Sequence, residues 1–554
     1  MAVCQAFTGS GGWPTSIFLT PEKQPFFAGT YFPKQRQGHM ASFGDLLTLI
    51  HEKWEQDRPA LLNQAKEIVA LLDRPQMSEG GANPELLEEA VQLYKQLFDP
   101  KNGGFGGAPK FPAPHNLLFL LTYYRRRGDR ACLEMAERTL TQMYRGGLFD
   151  HIGGGFCRYS TDERFLVPHF EKMLYDNSLL ILVYCEAYSV TKKELYLPAA
   201  ERTADHVLRE LTAPEGGFYS AQDADSDGVE GKYYLFTPEE IVRVLGPEQG
   251  GAFNRHFDIT EAGNFEGKSI PNLLRSDSED RTFDHLLKKI YQYRKGRCSL
   301  RLDDKILTAW NGLMIAALCR LYQTSGTEKY LDAAKRADRF LWKNLWDGEA
   351  LYVSFRDGQR GARGFLDDYA ACLFAQLALH GATLEQTYLD RTEQLRRDVY
   401  EKFHDEKDGG FYLYGDEHET LILRPKETYD GAMPSGNALM AWNLARLGQL
   451  VSEETYGPLA ERQLDFLAAE ASQYPAGHAM FLLALLDRQD PPPKVTAVLF
   501  DKSEAAHLPL DLPLEAAVIL RESGPDYPLK NGKTTFYVCR GHSCLPPVNE
   551  LPDL

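Results

Sequence analysis

Apolar residues recur at three- and four-residue spacing through most of the chain between Pro84 and Arg488. This periodicity predicts helices over 84–98, 115–127, 129–144, 171–190, 194–211, 305–325, 327–345, 365–380, 384–403, 436–450, 454–471 and 476–488. Twelve helices make six pairs. Several are joined by loops of one kind: Asp99 to Phe105, Gly153 to Phe156, Pro214 to Tyr219 and Asp405 to Tyr412 all run through paired glycines into an aromatic residue. Such recurrence reads as a helical-hairpin repeat with loop insertions. A closed ring fits it better than a linear solenoid, whose repeats are usually shorter and whose loops are plainer. The expected fold class is mainly α, an (α/α)6 toroid over about residues 80–490.

Three segments depart from the helical pattern. Residues 1–75 open on Gly11-Gly12-Trp13-Pro14, run through Thr15 to Leu19, turn at Pro21-Glu22-Lys23 and continue in Pro25-Phe26-Phe27, which predicts a β-hairpin; an amphipathic helix is expected from Ser42 to Leu72. An insertion at about 212–303 carries a strand-like Gly231 to Phe236, a short helix opened by Thr237-Pro238-Glu239-Glu240, and another helix near Phe283 to Tyr293, and is expected to cover one mouth of the ring. After Pro491-Pro492-Pro493, the stretches Val495 to Phe500, Ala516 to Leu520 and Thr534 to Val538 read as strands of a small α/β tail over 491–554.

Composition narrows the function. A formal charge of -17 disfavours nucleic acid and acidic membrane surfaces, which need a local excess of Lys and Arg. No apolar run is long enough to span a bilayer, and the N-terminus lacks a basic region followed by an apolar one. Nine scattered cysteines without CxxC spacing fit a reducing cytoplasm. In Cys539-Arg540-Gly541-His542-Ser543-Cys544, the cramped spacing favours a disulfide or a thiol pair over a zinc site, and neither a metal nor a cofactor is expected.

The densest chemistry lies between Asp150 and Asn177, where Gly, aromatic and mixed-charge residues suit a loop packed on itself. His151, His169, Glu171 and Asp176 are candidates for proton transfer, with Arg158 and Tyr159 placed to bind a ligand; a structural ion-pair network is the alternative. Asp223 and Asp225 have part of the spacing of a calcium loop but lack its closing glutamate, and otherwise supply acceptors beside Glu230. Asp304, a catalytic candidate and also a plausible N-cap, leads to Trp310 and Asn311; Asp368 and Asn437 open two further helices. Alternate helices of an α/α ring face inward, so these residues are expected around one opening. Carboxylates and aromatic rings there suit a carbohydrate, with its hydroxyls and its C–H face.

Gly12 to Thr15, Phe18 to Pro21 and Gly29 to Pro33 resemble the second half of the thioredoxin-like domain of the spermatogenesis-associated protein 20 family, which would make Pro14 a cis-proline. That family places a strand, a cysteine-bearing helix and another strand before this point. The segment therefore reads as a truncated thioredoxin-like domain in which Cys4 lacks a partner thiol, and no thioredoxin activity is expected. Gly153 to Asn177, Tyr219 to Asp225, Asp304 to Gly312, Leu366 to Tyr369 and Pro434 to Asn437 are similar to the same family. Its long domain resembles six-hairpin glycosidases and N-acylglucosamine 2-epimerases, which implies carbohydrate chemistry at the barrel mouth. The leading expectation is a sugar isomerase or epimerase using a histidine such as His169 or His151. Glycoside hydrolysis by carboxyls among Asp176, Asp223, Asp304 and Asp368, and a non-catalytic binding or redox-linked regulatory role, are the alternatives.

Overall fold

The computed structural model describes residues 2–9, 11–12, 14–38, 40–72, 81–276, 281–419, 423–501, 504, 508, 511–541 and 543–552. The chain divides into two compact units, Met1–Met77 with Tyr412–Lys426, and Ser78–Phe411 with Glu427–Leu554.

In the first unit Ser16–Leu19 and Pro25–Gly29 form the expected antiparallel hairpin. Phe26 lies 5.6 Å from Trp54, and Phe18 lies 5.9 Å from Phe27. The single helix expected over 42–72 is two, Phe43–Gln56 and Arg58–Leu72. Pro59 accounts for the break, because it has no N–H to give to the Glu55 carbonyl of a continuous helix and its ring crowds that carbonyl. Trp13 lies outside the described residues, and with it the Trp13–Pro14 bond on which the cis-proline expectation rests.

The second unit holds all twelve repeat helices. Pro114–Arg127, Leu174–Thr191, Thr308–Ser325, Leu366–Thr383, Gly436–Leu450 and Ala479–Gln489 pack side by side into a closed inner ring, and Ala479–Gln489 returns to Pro114–Arg127. Five are followed by their outer partners, whereas Ala479–Gln489 pairs with the Glu85–Leu97 helix from the start of the barrel, so the sixth hairpin joins the two ends of the unit. Burial follows this plan: Leu313 to Leu321 of an inner helix are buried on every face, while outer Glu328–Asn344 buries one stripe including Tyr330, Ala334, Ala337 and Leu341.

The glycine-aromatic loops lead from outer to inner helices. Asp99, Asp150 and Asp405 each accept two backbone N–H bonds within their own loop, and Phe105, Phe156 and Phe411 close it by bridging back. Gly103-Gly104, Gly154-Gly155 and Gly409-Gly410 have φ between +71° and +79°, which only glycine adopts at little cost. The loops that end at Phe156, Phe218 and Phe411 are then fastened by an asparagine of the next inner helix. Asn177 brackets the N–H and C=O of Phe156, Asn311 those of Phe218 and Asn437 those of Phe411, at 2.7–3.1 Å. Asn311→Ala leaves both groups of Phe218 buried without this partner; the expected loss is about 2–4 kcal/mol in denaturant unfolding.

In the insertion, Pro238–Leu245 begins at a capping box of Thr237 and Glu240, and Asp284–Arg297 follows the expected helix. Gly231 to Tyr234 form turns rather than a strand, since Gly231 has a φ of +73° and the Tyr233 and Tyr234 rings fold over Arg294. Arg294 and Lys172 meet Asp150 in a buried triad at 2.8–2.9 Å, so this part of the Asp150–Asn177 stretch is structural.

In the tail, Lys494–Val498 pairs in parallel with Ala517–Arg521 and antiparallel with Thr535–Arg540, which also pairs with Ser543–Cys544. A disulfide joins Cys539 to Cys544, while His542 lies outside the described residues. Glu515 reaches the ends of the inner helices, where Arg125 grips its carboxylate at 2.6 and 2.8 Å and Arg126 approaches at 3.2 Å. Among the described residues no helix is long and apolar enough to cross a membrane.

Candidate active site

Inner helices begin at the end of the barrel that carries the long loops. There, carboxylates tie neighbouring helix starts together: Asp368 accepts from Ala309 N–H at 3.0 Å, Asp367 from Gly436 N–H at 2.9 Å and Asp430 from Met480 N–H at 2.8 Å. Helix N-termini offer unpaired N–H groups and a positive dipole end, which explains carboxylates at these positions. The barrel axis beneath is closed by Leu118, Leu182, Leu313, Phe374 and Trp442, leaving only about 20 Å³. A sugar-sized ligand is therefore confined to the mouth.

A cavity of about 320 Å³ opens there, lined by Phe111, His115, Asn116, Asp176, Tyr429 and Asp430 among others. Its volume lies within the roughly 300–1,000 Å³ of small-molecule sites. Asp176 is 4% exposed, and its Oδ2 has no hydrogen-bond partner. Burial drives its pKa well above the carboxylate range, with the nearby Arg158 charge opposing. His115 is 3% exposed, with Nδ1 unpartnered, and burial lowers its pKa to about 4, which keeps the ring neutral. Phe111 and Tyr429, at 53% and 58% exposed, present ring surface at the rim.

The rim continues through Phe111, whose ring lies 4.8 Å from Tyr159; Tyr159 in turn stacks on His169 at 5.2 Å. His169 Nδ1 lies 2.7 Å from Glu230, and Nε2 lies 3.7 Å from Glu171. Glu171 and then Glu230 raise the His169 pKa, while His169 and then Arg158 lower that of Glu171 against its burial. Arg158 bonds Glu171 at 3.2 Å and Tyr175 at 3.3 Å. NMR titration is expected to place His169 above 6.5, its ordinary value, with Glu230→Gln moving it back down.

Five sequence candidates thus share one surface: Arg158, Tyr159, His169, Glu171 and Asp176. Others are placed elsewhere. His151 is buried against Tyr144, Phe149 and Phe257, and burial lowers it to about 3, so it is a core imidazole. Asp304 does not cap a helix, since the helix starts at Thr308; it pairs with Arg356 at 2.7 Å beside a different cavity. Asn311 and Asn437 commit their amides to the loops, and Asp368 spends its oxygens on Ala309 and Phe365 N–H while burial raises it to about 8. Trp310 packs on Tyr175 at 4.8 Å. Asp223 bonds its own loop at Asp225 N–H, and Asp225 begins a hairpin turning at Asp227-Gly228, both with positive φ, which accounts for the calcium-like spacing. Sequence reading missed His115, Asn116 and Phe111; the available signal was a histidine just after Pro112-Ala113-Pro114 at an inner-helix start.

The inner and outer rings of helices together define an (α/α)6 barrel. The structure is similar to that of cellobiose 2-epimerase from Bacillus thermoamylovorans B4167, at 14% identity and a TM-score of 0.50, covering 73% of this chain and 97% of that one. In sequence the chain is 32% identical to rat (Rattus norvegicus) spermatogenesis-associated protein 20 and 30% identical to the human (Homo sapiens) protein, each match covering 100% of this chain and 80% of the relative. Residues 1–73 match the Thioredox_DsbH model, described as "Protein of unknown function, DUF255". The chain belongs to the spermatogenesis-associated protein 20 family.

Proposed function

We propose that this chain is a carbohydrate-active enzyme of isomerase or epimerase type, acting on an open-chain reducing sugar in the mouth cavity. The observation that carries this reading is Asp176, a buried carboxyl with an unpartnered oxygen, in one cavity wall with the neutral imidazole of His115. A carboxylate with a raised pKa is a stronger base than an ordinary aspartate and suits removal of the proton beside a carbonyl. A neutral imidazole donates a hydrogen bond to the carbonyl oxygen as negative charge grows on it, without needing to be charged itself. Return of the proton to the neighbouring carbon, with the hydroxyl proton passing to the former carbonyl oxygen, gives isomerisation; return to the original carbon after the planar intermediate has turned its other face to Asp176 gives epimerisation. Phe111 and Tyr429 stack on the sugar's C–H face, and Arg158, Tyr159 and His169 meet its hydroxyls at the rim. The likeness to a sugar epimerase supports the fold's suitability for this chemistry.

Hydrolysis is the second reading, favoured by one observation: Asp176 is raised and Glu171 lowered, the opposed shifts of an acid and a carboxylate partner. Incubation with reducing hexoses, N-acetylhexosamines and disaccharides, followed by chromatography, separates the two. A C2 epimer or a ketose supports the first, and a monosaccharide released from a disaccharide supports the second. An unchanged panel sinks catalysis on simple free sugars.

A further inference from the structure

The largest cavity described here, about 690 Å³, shares no lining residue with the mouth pocket. Its walls are the Glu328–Asn344 helix, the loop around Glu215 and Tyr219, and the hairpin ending at Asp357-Gly358. The helix contributes Arg336, Arg339 and Lys343 at i, i+3 and i+7, which places all three on one face. All three are exposed, and none has an ion-pair or hydrogen-bond partner among the described residues, in a chain of net charge -17 with many paired arginines. Helix-end electrostatics explains Lys343, in the last turn, but not Arg336 two turns earlier. The cavity floor is apolar, made by Ile306, Phe340 and Phe355. The same lining holds Glu215, Asp304 and Asp357, with Asp304 already held by Arg356.

We propose that this cavity binds a small-molecule phosphomonoester. The phosphate lies against Arg336, Arg339 and Lys343, the body of the ligand rests on the apolar floor, and its hydroxyl groups donate to carboxylates of the lining. Guanidinium groups bind phosphate through paired N–H bonds, and a cavity of this volume fits a sugar phosphate or a nucleotide. A bare anion patch would need neither floor nor carboxylates. A phosphorylated ligand here neither requires nor excludes chemistry in the mouth.

Calorimetric titration of the full chain with glucose 6-phosphate, AMP, inorganic phosphate, glucose and adenosine tests the proposal. One of the two esters is expected to bind at least about tenfold more tightly than inorganic phosphate and than its own dephosphorylated form. Which ester does so distinguishes a sugar phosphate from a nucleotide. Raised salt is expected to weaken the binding, because the cations are exposed. R336Q/R339Q/K343Q is expected to weaken it at least about tenfold, and the milder Arg339→Lys to lose part of it, while the circular dichroism stays native. Failure of both esters to bind, equal binding of inorganic phosphate, or unchanged binding by the triple variant would overturn the proposal.

Discussion

Asp176→Asn lowers turnover of the sugar substrate by roughly 10²–10⁴-fold, the usual contribution of a positioned proton-transfer group. The amide keeps the shape of the carboxyl and removes only its titration, so KM is expected to change little. Stability separates this role from a structural one. A structural carboxylate with bonded oxygens loses stability on amidation, whereas Asp176 leaves Oδ2 without a partner at 4% exposure. The sign follows from the raised pKa: the buried group is tolerated while protonated, and wild-type stability relative to the variant falls as pH rises above the ordinary 3.8 and through the folded value. Denaturant midpoints measured from acid to neutral pH are expected to show the variant gaining on the wild type. A variant less stable at every pH, with activity lost in proportion, would make Asp176 a structural residue.

Glu515→Gln is expected to destabilise the barrel by about 3–5 kcal/mol. Its carboxylate is buried between Arg125 and Arg126, and Glu186 and Arg320 extend the network at 3.1 and 2.5 Å. Removing its charge leaves Arg125 to Glu186 and Arg126 to Asp487 alone, in a buried setting where the lost charge is poorly replaced. Although burial works against it, Arg125 and then Arg126 hold the Glu515 pKa at about 2 in the folded chain, against 4.5 ordinarily. The stabilisation is therefore complete above 4.5 and is lost as pH falls towards 2. The difference between wild type and variant, measured by urea unfolding, should shrink across that window. A difference below about 1 kcal/mol at neutral pH would put the pair in the class of exposed ion pairs.

The barrel was legible because burial imposes a period. All twelve helices lie close to where three- and four-residue spacing puts them, and the Asp-Gly-Gly-Phe loops announce their own backbone through the glycines. The break at Asp57 was written in Pro59 but masked by apolar spacing that runs on through it. Gly231 to Tyr234 read as a strand because aromatic residues favour strands, and Arg294, sixty residues away in sequence, decides the outcome. The site was less legible for a related reason. Asn311 and Asn437 look like ligand-binding residues in the sequence, and only tertiary structure shows that Phe218 and Phe411 claim their amides. His115 looks like one more helical residue until its unpartnered nitrogen is found in the wall shared with Asp176.

The most direct test is proton NMR of wild type and Asp176→Asn in deuterated water with the same reducing sugars. The account expects deuterium to enter at C2 of at least one sugar with the wild type, and this exchange to slow by at least about 10²-fold in the variant. Deuterium entering equally fast in both, or in neither while the wild type releases a monosaccharide from a disaccharide, would contradict proton abstraction by Asp176.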